Sequence, residues 1–282
     1  MITALSPAGS RGPRNVVVST PTASSTAASA FTYTAAPAWA TVLEWYPNPA
    51  VVTDASLRAA ILASNLPWRV VDTATNIELL LVPPGVFMRG CSPGDTECRG
   101  GGYETPAHQV TLTNAFYLGK TEVTVGQYGG GGSSLPQTGG LSCNSAQSFC
   151  TARGFRLPTS AEWEWACRGG TTTARYGVLN DIAWYSGNSG GTRHTVATKL
   201  PNALGFYDML GNVYEFASDH WEFYSSDAPV VNPQGPASGA FIVIRGGAFT
   251  HTRACSRASD REGAGEGQSA EVHLGFRVAR TP

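Results

Sequence analysis

Arg245-Gly246-Gly247-Ala248-Phe249 and Leu274-Gly275-Phe276-Arg277 bracket a segment of unusual composition. Each block joins glycine, which permits close backbone approach, to an arginine and a buried-type aromatic anchor. Two such blocks read as fixed points of a frame. Between them stand Thr250, His251, Thr252, Ala254, Ser256, Ser259, Asp260, Glu262, Ala264, Glu266, Gln268, Ser269, Glu271 and His273, small or polar and without hydrophobic periodicity. That is the pattern of a solvated loop. Arg253, Arg257 and Arg261 recur at every fourth position within it. Short polar side chains gain little from burial. Thr250, His251, Thr252, Ala254, Ser256, Asp260, Glu262, Glu266 and Gln268 are therefore expected to point outward as one contiguous surface on a rigid support, a division of labour also used by antibody paratopes.

Around this segment the 282-residue chain has the 42% apolar content of an ordinary globular core. Charged residues are only 14%, and 33 glycines with 18 prolines favour loops over long amphipathic helices, so a loop-rich α+β domain is expected. Net charge is −1, with no basic field of the kind that draws nucleic acid or anionic membranes. No apolar run reaches membrane-span length, which argues against membrane insertion. Met1-Ile2-Thr3 lacks the charged and apolar regions of a signal peptide, so an export signal was removed or none is used. The six cysteines, at 91, 98, 143, 150, 167 and 255, contain no C-x-x-C pair, which disfavours zinc and thioredoxin chemistry. Local Cys91–Cys98 and Cys143–Cys150 pairs, a Cys167–Cys255 bridge and free thiols all remain open.

Upstream, Val16–Thr20 and Ala30–Thr34 read as two short strands in a Ser/Thr-rich stretch. Residues 1–38 resemble the last strands of an immunoglobulin-like IPT/TIG repeat, which implies that the chain begins inside a longer parent; a polar linker is the alternative reading. Residues 39–76 read as a connection, with a helix over Asp54–Asn65 capped by Thr53 or Asp54 and a hairpin from Trp68–Thr73 and Glu78–Val82. From 77 to 282 lies the main domain. Its expected elements are strands around Leu79–Gly90, His108–Leu112 and Phe116–Thr124, then helices over Ala146–Ala152 and Ser160–Arg168, the latter capped by Thr159 or Ser160. Gly129–Gly132 reads as a flexible connector.

The two bracketing blocks, together with Gly154-Phe155-Arg156-Leu157-Pro158-Thr159-Ser160-Ala161-Glu162-Trp163-Glu164-Trp165 and Leu210-Gly211-Asn212-Val213-Tyr214-Glu215-Phe216, resemble the formylglycine-generating-enzyme (sulfatase-modifying factor) family in the family's own order. The resemblance spans roughly Ile77 to Arg280 and implies the family's elaborated C-type lectin fold. It also implies where a catalytic C-x4-C pair would stand, and those positions are His251 and Ser256. Holding copper(I) takes soft thiolates, which imidazole and hydroxyl do not replace. No copper and no oxidase activity are expected, with His251 an ordinary surface residue and Cys255 a structural thiol. In the family the cysteines matching Cys150 and Cys167 pair with C-terminal partners, but Val278 and Arg261 stand at those places.

Asp208, Gly211, Val213 and Glu215 resemble a calcium position of the family, in which two side-chain oxygens and two carbonyls surround the ion; a purely hydrogen-bonded turn is the alternative. Trp163, Trp165, Trp184, Tyr185, Tyr214, Phe216 and Trp221 are expected mostly in the core. The segment 248–273 itself is similar to the variable region of diversity-generating-retroelement variable proteins. That resemblance implies a non-catalytic, monomeric ligand-binding protein, displayed at a cell surface, outside the cell or on a virion. Its ligand is an unidentified macromolecule, protein favoured over glycan because E-P-N and Q-P-D sugar motifs are absent. A catalytic family member and a structural surface module are the competing readings.

Overall fold

The computed structural model describes residues 14–20, 23–31, 36–265 and 272–282. Near the N-terminus, β1 (Arg14–Thr20) pairs antiparallel with β2 (Ala23–Phe31). The second strand lies earlier than expected: the Ala/Ser stretch is drawn into extended backbone by pairing with β1, because ladder hydrogen bonds are indifferent to side-chain type. Residues 32–34 lie outside the described residues.

The segment read as a connection is instead built into the main sheet. β3 (Ala40–Glu44), β4 (Arg69–Asp72), β5 (Glu78–Val82), β8 (Phe116–Gly119) and β14 (Ala279–Arg280) form an antiparallel sheet in the order β14-β8-β5-β4-β3. Between β3 and β4, helix α1 (Ala55–Ala63) starts where Asp54 accepts a hydrogen bond from Leu57 N at 2.8 Å. It buries Leu57 and Ile61. The sheet cannot close its core without Trp68, Val70 and Ile61, so the apolar residues of 39–76 join one hydrophobic cluster with those of 77–282.

Two smaller sheets complete the domain. β6 (Gly85–Arg89), β7 (His108–Leu112) and β10 (Val230–Val231) run in the order β10-β7-β6, and β9 (Tyr214–His220), β11 (Phe241–Arg245), β12 (Arg261–Gly265) and β13 (Leu274–Gly275) in the order β12-β11-β9-β13. Short helices α2 (Val125–Gly129), α3 (Cys143–Ala152) and α5 (Leu179–Ile182) occupy the connections.

Helix α4 (Ser160–Arg168) is the central post. Thr159 and Glu162 cap each other reciprocally, and Gly169 ends the helix in the left-handed region at φ 52°. Packed against β6, β9 and β11, it has every residue but Glu162 buried, so Glu164 and Arg168 find their partners inside the protein. Cys91 and Cys98 form a disulfide, while Cys143, Cys150, Cys167 and Cys255 are in none. Cys143 and Cys150 share helix α3, where seven residues of rise separate their Cα atoms by about 10 Å, too far to bridge. No helix among the described residues is long and apolar enough to cross a membrane.

Candidate ligand-binding surface

Both bracketing blocks are held from within. Arg245 is completely buried and donates to Glu164, on α4, and to the carbonyls of Ser259 and Asp260. Gly247 follows at φ 76°, and a Cβ there would stand 2.8 Å from the Cys255 carbonyl, so the segment folds back over the turn only because glycine is present. At the other end, Arg277 forks onto both oxygens of Glu215 at 2.7 Å, and the Trp163 indole donates to the same carboxylate at 2.7 Å. Phe276 and Leu274 are buried beside it.

Between these anchors the segment divides in two. Thr250 and Thr252 are exposed; His251 and Ala254 are half-buried, and a 3-10 turn covers Arg253–Cys255. The His251 ring lies edge-on to Tyr214 and to His273, each at 4.9 Å between centroids. With Glu262 on β12 these residues line a shallow depression of about 190 Å³. Of the nine expected surface residues, His251 and Glu262 line this depression, and Thr250, Thr252 and Ala254 lie beside His251 along the chain, exposed or half-buried. Glu266 and Gln268 lie outside the described residues.

Ser256 and Asp260 correct the expectation, because both are fully buried. The run 256–261 turns inward over the loop 91–104, whose first part, 91–98, is closed by the Cys91–Cys98 disulfide. Arg257 donates to Glu104 through two nitrogens, at 2.5 and 2.7 Å, and to Asp95 at 3.0 Å. Ser259 donates to Glu104 at 2.7 Å, Arg99 pairs with Asp260 at 3.0 Å and with Glu262, and Glu97 receives Arg175 and Arg253. These polar residues go inside because counter-charges wait there. Burial alone would raise the Glu104 pKa, but the bonds from Arg257 and Ser259 outweigh it and hold that pKa below the ordinary value. Asp260 is less well met: burial, opposed by Arg99 and Arg257, pushes its carboxyl up to about 7.

At the two positions that the resemblance gives to catalytic cysteines, His251 packs on Tyr214 and Ser256 is buried with its hydroxyl unpartnered. The Tyr214 hydroxyl donates to the Cys255 thiol. Burial and then Asp260 raise the pKa of that thiol, the reverse of nucleophile activation.

The expected metal turn is strained as such turns are: Asp208, Gly211 and Asn212 all have positive φ, and a Cβ on Gly211 would fall 2.4 Å from the Trp184 carbonyl. Asp208 accepts Ala197 N at 2.7 Å through Oδ2, while its buried Oδ1 has no partner. Glu215 is engaged by Arg277 and Trp163, and Val213 N donates to Glu122 at 3.3 Å. Glu122 is a participant that the sequence reading missed. It is buried near Asp208 and Glu215, and burial first, then those two charges, raises its pKa well above the ordinary value. Among the described residues no three His, Cys, Asp or Glu side chains converge on one point as a metal set, so any ion here would rely on Asp208 and backbone carbonyls. Of the aromatic residues, Trp163, Trp165, Tyr214 and Phe216 are core, whereas Trp184, Tyr185 and Trp221 are half-buried, with Trp184 stacked on His194 at 3.7 Å.

Comparison with known proteins follows the same lines. Residues 131–282 match the sulfatase-modifying factor enzyme 1-like domain. The formylglycine-generating enzyme of Thermomonospora curvata is 33% identical over 165 residues, covering 50% of this chain and 54% of that protein. The chain thus spans about half the length of the curated relatives it matches. PvdO from Pseudomonas aeruginosa superposes with a TM-score of 0.67 at 23% identity over 76% of this chain and 98% of its own. Variable protein 1 of Treponema denticola does so with a TM-score of 0.62 at 26% identity, over 74% and 98%. The loop-rich α+β fold expected from the resemblance is the one adopted.

Proposed function

Since the chain belongs to the sulfatase-modifying factor enzyme 1-like family, we propose that it is a non-catalytic member that binds a macromolecular ligand through Thr250, His251, Thr252, Ala254 and Glu262. The observation that carries this reading is the pair His251 and Ser256. An imidazole packed between aromatic rings and a buried hydroxyl stand where the resemblance requires two thiolates, and the neighbouring thiol, Cys255, has a raised pKa. One thiol cannot supply a two-thiolate site. Incubated with copper and a Cys-x-Pro-x-Arg peptide, the protein should leave the peptide cysteine unchanged in mass spectra; formylglycine in the product would restore the enzyme.

Likeness to variable protein 1 of Treponema denticola, and a surface strip mounted on a buried ionic frame, support the finer reading that the strip is diversified. Its coding sequence should then have a near-copy beside a reverse transcriptase, differing mainly at adenines. Without such a repeat, the protein is a non-catalytic family member of fixed sequence. A protein ligand is favoured over a glycan because E-P-N and Q-P-D sugar motifs are missing from the chain.

Structural calcium at Asp208 remains part of the proposal. The unpartnered buried Oδ1 of Asp208 and the surplus of Glu122, Asp208 and Glu215 over Arg277 suit a hard cation, with Asp208 and the carbonyls of Gly211 and Val213 as donors and Glu215 acting mainly through its charge. An ion bound only by the folded state adds about 2.7 kcal/mol at a hundred times its dissociation constant. Millimolar calcium should therefore raise the melting temperature and a chelator lower it; superimposable melting curves would remove calcium from the proposal.

A further inference from the structure

Away from the ligand surface, Arg89 and Arg261 pose an electrostatic problem. Their side chains lie in residues only 5% and 2% exposed, yet neither forms a salt bridge with a described carboxylate. Arg89 donates to Ser160 Oγ at 2.8 Å and Arg261 to the Glu222 carbonyl, while the Nε of each has no hydrogen-bond partner. The Tyr224 ring lies 3.9 Å from the Arg261 guanidinium and 5.1 Å from that of Arg89. Taking a guanidinium out of water without an opposing charge is costly.

Nearby groups do not make up the deficit. Glu164 is shared between Arg168 and Arg245, and Asp219, which accepts Ser160 N at 2.6 Å, also lies within the field of Arg89. Among the described residues, Arg89, Arg168, Arg245 and Arg261 thus face Glu164, Asp219 and, at the exposed edge, Glu222, which leaves positive charge in excess. Burial first, with Arg89 and Arg245 adding to it, lowers the Arg261 pKa, as expected where like charges crowd. His108 adds no further donor toward the cavity through Nδ1, since that nitrogen lies 3.2 Å from the Pro106 carbonyl.

A cavity of about 180 Å³ opens over this cluster, with Arg89, Arg261 and Asp219 among its lining and the exposed residues Phe223, Ser225 and Ser226 at its rim. It has room for roughly six waters by their liquid volume. We propose that this cavity binds a compact divalent oxyanion of the phosphate or sulfate type, held by the guanidinium groups of Arg89 and Arg261. Guanidinium forks match the oxygens of such anions, and a dianion offsets the excess of positive charge. A monocarboxylate offers less charge and fewer acceptor oxygens to the same forks. Arg261 opens β12, and consecutive strand residues project to opposite faces. Its neighbour Glu262 therefore lines the ligand depression while Arg261 lines the anion site on the reverse of the same strand.

Calorimetric titration of the full chain with inorganic phosphate, with sulfate and acetate as companions at constant ionic strength, tests the proposal. Phosphate and sulfate should bind about ten-fold more tightly than acetate. Ser226→Glu, which adds a negative charge at the exposed rim, and Arg261→Gln, which removes half of the guanidinium pair, should each weaken phosphate binding by about five-fold or more. Ser226→Glu should do so with an unchanged melting temperature, which keeps the test decisive if Arg261→Gln does not fold. Phosphate failing to bind the folded wild-type chain at tens of millimolar, acetate binding as tightly, or phosphate binding undiminished in Ser226→Glu would each overturn the site.

Discussion

Residues 250–254 and 256–261 are alike in composition, each a short polar run carrying arginine, but the first lies at the surface and the second inside. Arg253 has a side chain 64% exposed and touches one carboxylate, Glu97, whereas Arg257 is 1% exposed and contacts Glu104, Asp95 and Asp260. Polarity therefore does not decide exposure. What decides it is whether another part of the chain brings a counter-charge, and the loop 91–104 brings several to one half of the segment. The buried half holds the segment in place, and the exposed half takes little part in that frame.

The severest test of that contrast is Arg257→Met. It strands Glu104, Asp95 and Asp260 around an uncharged side chain, and breaking a buried pair by removing one partner typically costs about 3–5 kcal/mol. Arg253→Met should cost no more than the ~0–1 kcal/mol of an exposed pair. Urea denaturation of the two variants side by side reads the difference, and equal losses would erase the distinction between the halves.

Asp260 sharpens the comparison at intermediate scale, because its Oδ2 has no partner and burial pushes its carboxyl up to about 7. A carboxyl raised in the folded state favours the fold when protonated. That contribution is complete below the unfolded value of about 4 and is lost as pH rises through about 7. Melting temperature should accordingly fall between pH 5 and pH 8 in the wild type, and Asp260→Asn should flatten that slope. Melts that keep the same slope in both proteins would mean that Asp260 is fully compensated by Arg99 and Arg257.

The smallest effects belong to the exposed half. Thr250→Ala, Thr252→Ala and Ala254→Ser should each shift stability by only a few tenths of a kcal/mol. A loss above about 1 kcal/mol at any of these positions, measured by urea midpoint, would mark that residue as part of the frame.

Much of the scaffold was legible residue by residue. Thr159 and Glu162 announced the start of α4, Asp54 that of α1, and the glycines of Arg245-Gly246-Gly247 their turn. The register of β2 was not legible, since its Ala/Ser stretch carries no alternation, nor was the joining of β3 and β4 to the main sheet. At the candidate site, Thr250, His251, Thr252, Ala254 and Glu262 keep at least partial exposure as expected, while Ser256 and Asp260 were misread as outward-facing and Glu104, Asp95 and Glu122 went unnoticed. Cys91 and Cys98 hinted at a closed loop but gave no sign of where it would dock.

Local chemistry explains that boundary. A helix cap is a contact across three residues, a positive-φ glycine is a property of one, and strand alternation repeats every two, so the amino-acid sequence by itself determined the helices, the glycine turns, the frame blocks and the absence of a thiol pair at His251 and Ser256. Glu104 and Arg257 stand 153 positions apart, and Arg277 and Glu215 stand 62 apart. Which charges meet at such separations follows from how the sheets pack around α4. Tertiary structure alone therefore decided that half of a polar segment would be buried as the support for the other half, because a charged side chain enters the interior only where an opposite charge has been carried in to meet it.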